Sequence, residues 1–140
     1  MNTEMKRLDT LPRLSLVARC ADLLAALRRD TAGVLSATVA TANGLAVAST
    51  LGERHEADKM AAMSGSIAAL ASALTQEAGQ GEPERVVLES ARGHIVSMKV
   101  PSPGAGLVLT VVSDHGAVLG TLLWQCRSTA ERIAASASTA

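Results

Sequence analysis

An Asn-Gly pair at positions 43 and 44 stands between two runs of small and β-branched residues. Val34-Leu35-Ser36-Ala37-Thr38-Val39-Ala40-Thr41 precedes it, and Leu45-Ala46-Val47-Ala48-Ser49-Thr50 follows. Extended runs around Asn-Gly are the strongest short-range signal for a β-hairpin, because a type I′ turn needs positive φ at both central residues. The pattern predicts strands at 33–41 and 45–50.

The rest of the chain supplies what such a hairpin can pack against. Leu16, Cys20, Leu23 and Leu27 follow a helical rhythm over 13–29, with Arg28 and Arg29 where positive charge suits the end of a helix. Met60, Met63, Ile67, Leu70 and Leu74 repeat at intervals of three and four over 56–78, predicting a helix whose apolar stripe is ordinary core. Three further extended runs, 85–90, 94–100 and 107–112, are separated by Arg92-Gly93 and by Pro101-Ser102-Pro103-Gly104. A last helix carries Leu119, Leu122, Leu123, Cys126, Ala130 and Ile133, and Trp124 on it is read as a core anchor, with a place in a partner-facing patch as the alternative. Short connections imply antiparallel neighbours. The expected fold is therefore α+β: a five-stranded antiparallel sheet with helices on both faces, in the order α-β-β-α-β-β-β-α. Residues 1–12 read as a polar lead, 13–136 as one domain and 137–140 as a frayed tail.

Composition closes off several functions. Hydrophobic residues are 48% and charged residues 19%, which excludes a disordered chain. One Trp and no Tyr or Phe weigh against a site that stacks successive single-stranded bases. Thirteen basic residues balance thirteen acidic ones, so the footprint of a nucleic-acid binder is lacking and self-association meets little opposition. The start does not resemble a signal peptide, and the apolar run 105–124 is interrupted by Asp114, His115 and Gly116, which reads as strand, turn and helix. A cytoplasmic protein with no membrane insertion is expected.

The chain shows no chemistry of its own. There is no G-x-x-x-x-G-K-[ST] loop and no G-x-S-x-G elbow. Gly104-Ala105-Gly106 precedes a strand rather than a helix, the reverse of a dinucleotide fingerprint. His55, His94 and His115 lack partners at ligand spacing, and Cys20 and Cys126 read as buried small hydrophobes. No metal, cofactor or catalytic residue is expected. Arg54, Arg85 and Arg92 are candidates for an arginine finger supplied in trans, with Arg92 best placed at a hairpin tip; the plainer reading is a solvated turn residue.

One face of the second helix is unusual. Ala61, Ala62, Gly65, Ala68, Ala69 and Ser72 are all small, and a glycine inside a helix costs about 0.5–1 kcal/mol relative to Ala. That cost suggests a close backbone approach, here read as a partner helix. Ala-rich composition alone is the competing explanation.

The element order, Gly33-Val34, the Asn43–Ser49 hairpin, the Ala-rich helix at 60–74, Val86-Val87-Leu88-Glu89, Arg92-Gly93-His94-Ile95 and Gly116-Ala117-Val118-Leu119-Gly120 resemble the Roadblock/dynein light-chain family, bacterial stand-alone type, a branch of the longin- and profilin-like folds. The resemblance spans about 13–136. It implies a protein-binding dimer, a non-enzymatic regulator or scaffold for a Ras-like small GTPase that stimulates hydrolysis, where it does, by positioning. On that basis Lys59, Ala62, Gly65, Ala69 and Ser72 are expected to form the partner-binding surface, and Arg85, Val87 and Glu89 the dimer edge strand. The alternative is a profilin-like module for haem or a metabolite, which calls for a pocket with convergent polar groups or an axial ligand.

Overall fold

The structure, a computed structural model, describes residues 3–101 and 106–139. The elements follow as α1 (Thr3–Asp30), β1 (Val34–Thr41), β2 (Ala46–Ser49), α2 (Arg54–Glu77), β3 (Val86–Ser90), β4 (Gly93–Lys99), β5 (Leu107–Asp114) and α3 (Leu119–Thr139). This is the expected order. The five strands form one antiparallel sheet, β2-β1-β5-β4-β3. Its edges are β2 and β3. Helix α1 starts at Thr3 rather than at 13 and runs through Pro12. Apart from Pro101, the turn expected at 101–104 lies outside the described residues.

Alternation along the strands divides the sheet into two unlike faces. Ala37, Val39, Val96, Met98, Leu109 and Val111 point to one side and form the main core with Cys20, Leu23, Leu24 and Leu27 of α1 and Leu122, Cys126 and Ile133 of α3. The other face is small and hydroxylated. There Thr38 Oγ1 and Ser49 Oγ lie 2.8 Å apart, and Ser97 Oγ and Thr110 Oγ1 3.1 Å apart. These mutual hydrogen bonds let four hydroxyls sit inside the fold without an unmet partner. Only a helix with a small inward face can lie on such a floor, and α2 buries Ala57, Ala61, Ser64 and Gly65 against it.

Three expectations need correction. The β1–β2 connection is not a type I′ turn: among described residues no residue other than glycine has positive φ, so Asn43 does not adopt it. Gly44 (φ 87°) does, its N–H donates to the Thr41 carbonyl at 2.9 Å, and the Thr41 N–H donates to the Leu45 carbonyl at 2.8 Å. The loop is thus the three-residue form, a tight turn closed by a left-handed glycine. Second, the apolar stripe of α2 is not core: Met63, Leu70 and Leu74 are 58%, 69% and 67% exposed. Third, Trp124 is 67% exposed. Leu122 and Cys126 take the inward side of α3, and a residue midway between them points away.

Candidate interaction surface

The displaced stripe defines the surface. Met63, Leu70 and Leu74 stand out from α2, with Met60 and Ile67 half-buried at its foot. Helix α2 lies over β1, β2, β5 and β4 and leaves β3 uncovered. The stripe therefore faces the open strip of sheet beside it, where Val86 and Leu88 of β3 and Ile95 of β4 continue the apolar surface. A cleft of about 180 Å³ lies between helix and strand, bounded by Met60, Met63, Ile67, Val86, Leu88 and Ile95. Its floor carries the paired hydroxyls of Ser97 and Thr110. β3 itself pairs only with β4, so its outer N–H and C=O groups are open to another strand. An exposed edge and an exposed apolar helix face, side by side, form one continuous patch of the kind that marks protein contact.

The sequence-derived partner residues fall differently. Gly65 is buried, and a Cβ built there would lie 2.9 Å from the Ala42 carbonyl oxygen and 3.0 Å from the Gly44 nitrogen. The close approach that a helical glycine signals is made to the chain's own hairpin. Ala62 sits over the same turn, 3.2 Å from where a Gly44 Cβ would be, and keeps an exposed side. Lys59 and Ala69 are exposed, so with Ala62 they line an open flank of α2 next to the apolar stripe. Ser72 is half-buried and tied into a polar cluster: Lys99 Nζ donates to its hydroxyl at 2.8 Å and to Glu82 at 3.1 Å, and Gln76 donates to Glu82 at 2.8 Å. The hydrogen bonds from Lys99 and then Gln76 hold the Glu82 carboxyl below its usual range. Their structural effect is to fasten the end of α2 to the end of β4.

On the edge strand, Arg85 precedes β3 with its guanidinium 3.7 Å from Glu84. Val87 and Glu89 alternate with Val86 and Leu88 and so point to the α1/α3 side, away from the cleft. The strand is the edge that was expected, but the residues sharing a surface with α2 are Val86 and Leu88. The sequence reading missed them together with Leu70 and Leu74. Arg54, Arg85 and Arg92 are exposed in three separate places: the start of α2, the approach to β3 and the β3–β4 turn. Cys20 and Cys126 are buried free thiols, and burial pushes Cys126 up to about 12. Among the described residues no three His, Cys, Asp or Glu side chains converge as for a metal ion, and no helix is long and apolar enough to cross a membrane.

Comparison with known proteins now places this arrangement. The fold superposes on a Roadblock/LC7 domain from Streptomyces avermitilis with a TM-score of 0.74 at 19% identity, covering 81% of this chain and 92% of that one. It superposes on MglB of Myxococcus xanthus with a TM-score of 0.78 at 16% identity, covering 88% and 90%. An MglB with a tetrameric arrangement gives a TM-score of 0.77 at 21% identity, covering 89% and 92%. No curated protein matches the sequence significantly. These identities carry the fold alone, but residues 20–113 match the Roadblock/LC7 domain itself, and the chain belongs to the Roadblock/LC7 family.

Proposed function

We propose that the protein is a dimeric regulator that pairs with itself through the α2–β3 surface and binds a Ras-like small GTPase on the assembled dimer. The observation that carries this reading is the continuous patch of Met63, Leu70 and Leu74 beside Val86, Leu88 and the open edge of β3. A two-fold axis at that edge would add strand to strand and continue the sheet, while the apolar faces of the two α2 helices cover the cleft. A stable interface of this kind buries about 1,200–2,000 Å² in total. The similar MglB with its tetrameric arrangement supports self-association as a habit of this fold.

The GTPase half of the proposal rests on the family resemblance and on the lack of catalytic chemistry in the sequence. The open flank of α2, with Lys59, Ala62, Ala69 and Ser72, would then form the platform in duplicate. Small and polar groups of this sort can hold a partner's loops without adding a catalytic group, so any stimulation of hydrolysis comes from positioning.

The test combines light scattering of the purified chain with binding to a co-encoded Ras-like GTPase, loaded with GDP or with a non-hydrolysable GTP analogue. A dimer that binds in at least one nucleotide state is the expected result. A monomer at every concentration overturns the dimer, and failure to bind in either state overturns the GTPase reading.

A further inference from the structure

The open edge of the sheet reads Arg85-Val86-Val87-Leu88-Glu89, with Arg85 one residue ahead of β3. Val86 and Leu88 point to the α2 side. Arg85, Val87 and Glu89 alternate with them and share the other side, where Arg85 lines a cleft with Arg127, Ala130 and Glu131 of α3. Both charges are available. Glu89 is exposed and makes no ion pair among the described residues. Arg85 is paired to its exposed chain neighbour Glu84, at 3.7 Å.

A two-fold axis normal to a sheet keeps every side chain on its own side, so the axis must pass through a residue of the edge strand. Three placements bring the strands together. An axis through Leu88 sets Glu89 opposite the partner's Val87 and Arg85 opposite the partner's Ala91. An axis through Val86 sets Glu89 opposite the partner's Pro83, which has no N–H to give. An axis through Val87 sets Arg85 opposite the partner's Glu89 and Val86 opposite the partner's Leu88, and Val87 meets its own copy. In that register alone every charge faces its opposite and every apolar residue an apolar one.

We propose that the chain pairs with a second copy of itself in the register centred on Val87, and that the two Arg85–Glu89 pairs across the axis select that copy. This rests on the dimer at the α2–β3 surface and adds its register and its choice of partner. Opposite charges directly facing on neighbouring strands favour pairing, and like charges oppose it. A related chain whose edge lacks this spacing of Arg and Glu leaves charges unmatched, so the homodimer is preferred over a mixed pair.

The test is mild oxidation of introduced cysteines, with light scattering through a dilution series. Facing residues on antiparallel strands have Cα atoms about 4.5–5.5 Å apart, within disulfide range, so Val87→Cys should cross-link. Leu88→Cys should not, because its two copies are offset by about 7 Å along the strands as well as by the strand spacing. Cys20 and Cys126 are buried, so the wild-type chain is the uncrosslinked control. Arg85→Glu and Glu89→Arg each set like charges across the axis twice, and each should weaken the dimer about tenfold or more. Mixed in equal amounts, the two variants should form a heterodimer about as tight as the wild-type dimer. That rescue also shows that both variants fold. Cross-linking by Leu88→Cys in place of Val87→Cys, undiminished dimers of either charge variant, or a mixture that stays monomeric would overturn the register and leave the dimer standing. A wild-type chain that is monomeric at every concentration overturns both.

Discussion

Gly65 of α2 stands against Gly44 of the β1–β2 turn, so near that a Cβ on Gly65 would come within 3.0 Å of the Gly44 nitrogen and 3.1 Å of its Cα. Helix and hairpin touch backbone to backbone there, and each glycine makes room for the other element. Gly65→Ala should therefore destabilise the protein although alanine is the better helix former. The propensity gain is about 1 kcal/mol and the overpacking cost about 1–3 kcal/mol. A net loss of ~1 kcal/mol lowers the melting temperature by roughly 3–5 °C for a chain of this size. Gly120→Ala is the control, since nothing lies within 4 Å of its added Cβ. Thermal melts of the two variants should move in opposite directions or differ by that margin. A stabilised Gly65→Ala would show that helix and hairpin do not meet this closely.

Exposed leucines on α2 predict a separation of folding from assembly. Leu70 and Leu74 are more than half exposed in the single chain, so Leu70→Glu and Leu74→Glu should change its stability by no more than about 0.5 kcal/mol. The same changes put charge into the proposed seam and should halve the mass seen by light scattering. Leu88→Lys, on the edge strand, should do likewise, because lysine on an edge discourages strand addition. Wild-type mass in all three variants, measured through a dilution series, would remove the α2–β3 face from the interface.

The fold could be read from the sequence because periodicity marks elements whichever way they face. The same periodicity does not say which side of an amphipathic helix is inward. Spacing alone puts the large residues of α2 in the core and the small ones against a partner, and the structure reverses this at Gly65, Leu70 and Leu74. A signal for the reversal was present in the strands. Ser36, Thr38, Ser97 and Thr110 share the α2 side of the sheet and are small and polar, a floor that large apolar side chains would leave poorly satisfied. Trp124 escaped for a simpler reason: its inward neighbours Leu122 and Cys126 already fill the helix's core stripe. The ring contact between His94 and His115 joins strand β4 to the turn after β5, and spacing along the chain cannot show it.

The buried thiols predict an alkaline limit to stability. Burial raises both Cys20 and Cys126, the latter from 9.0 to about 12. Above pH 9 the unfolded chain loses thiol protons that the folded chain retains. The unfolded state then binds fewer protons, so stability falls as pH rises. The contribution from Cys126 is fully present below about pH 9 and declines between 9 and about 12, at ~1.4 kcal/mol per pH unit for each thiol that stays protonated. Urea melts across that range should show the decline, and Cys126→Ala should flatten it after allowance for its lower starting stability. A slope unchanged in Cys126→Ala would mean that another group governs the alkaline limit. Native protein should also react slowly with a thiol reagent at pH 8, and unfolded protein fast.

Arginine provides the sharpest test of positioning as the mechanism. An arginine finger is worth about 10³–10⁵ in hydrolysis rate. Arg85 and Arg92 lie before β3 and in the β3–β4 turn, on elements other than α2. Arg54 is different: it is the first residue of α2, on the same helix as Lys59 and about 7.5 Å from it along the axis at 1.5 Å per residue. It is the one arginine of the three that α2 itself carries. If the platform only holds the GTPase's own groups in place, Arg54→Ala should weaken binding and leave the rate at saturation within about tenfold, and Arg54→Lys should restore binding by restoring the charge. A true finger gives the opposite split: binding nearly intact, saturated hydrolysis lower by about a thousandfold or more, and no rescue by lysine, whose ammonium lacks the planar fork. Single-turnover hydrolysis measured against regulator concentration separates the two, and the second pattern at any of the three arginines would replace positioning with direct transition-state stabilisation.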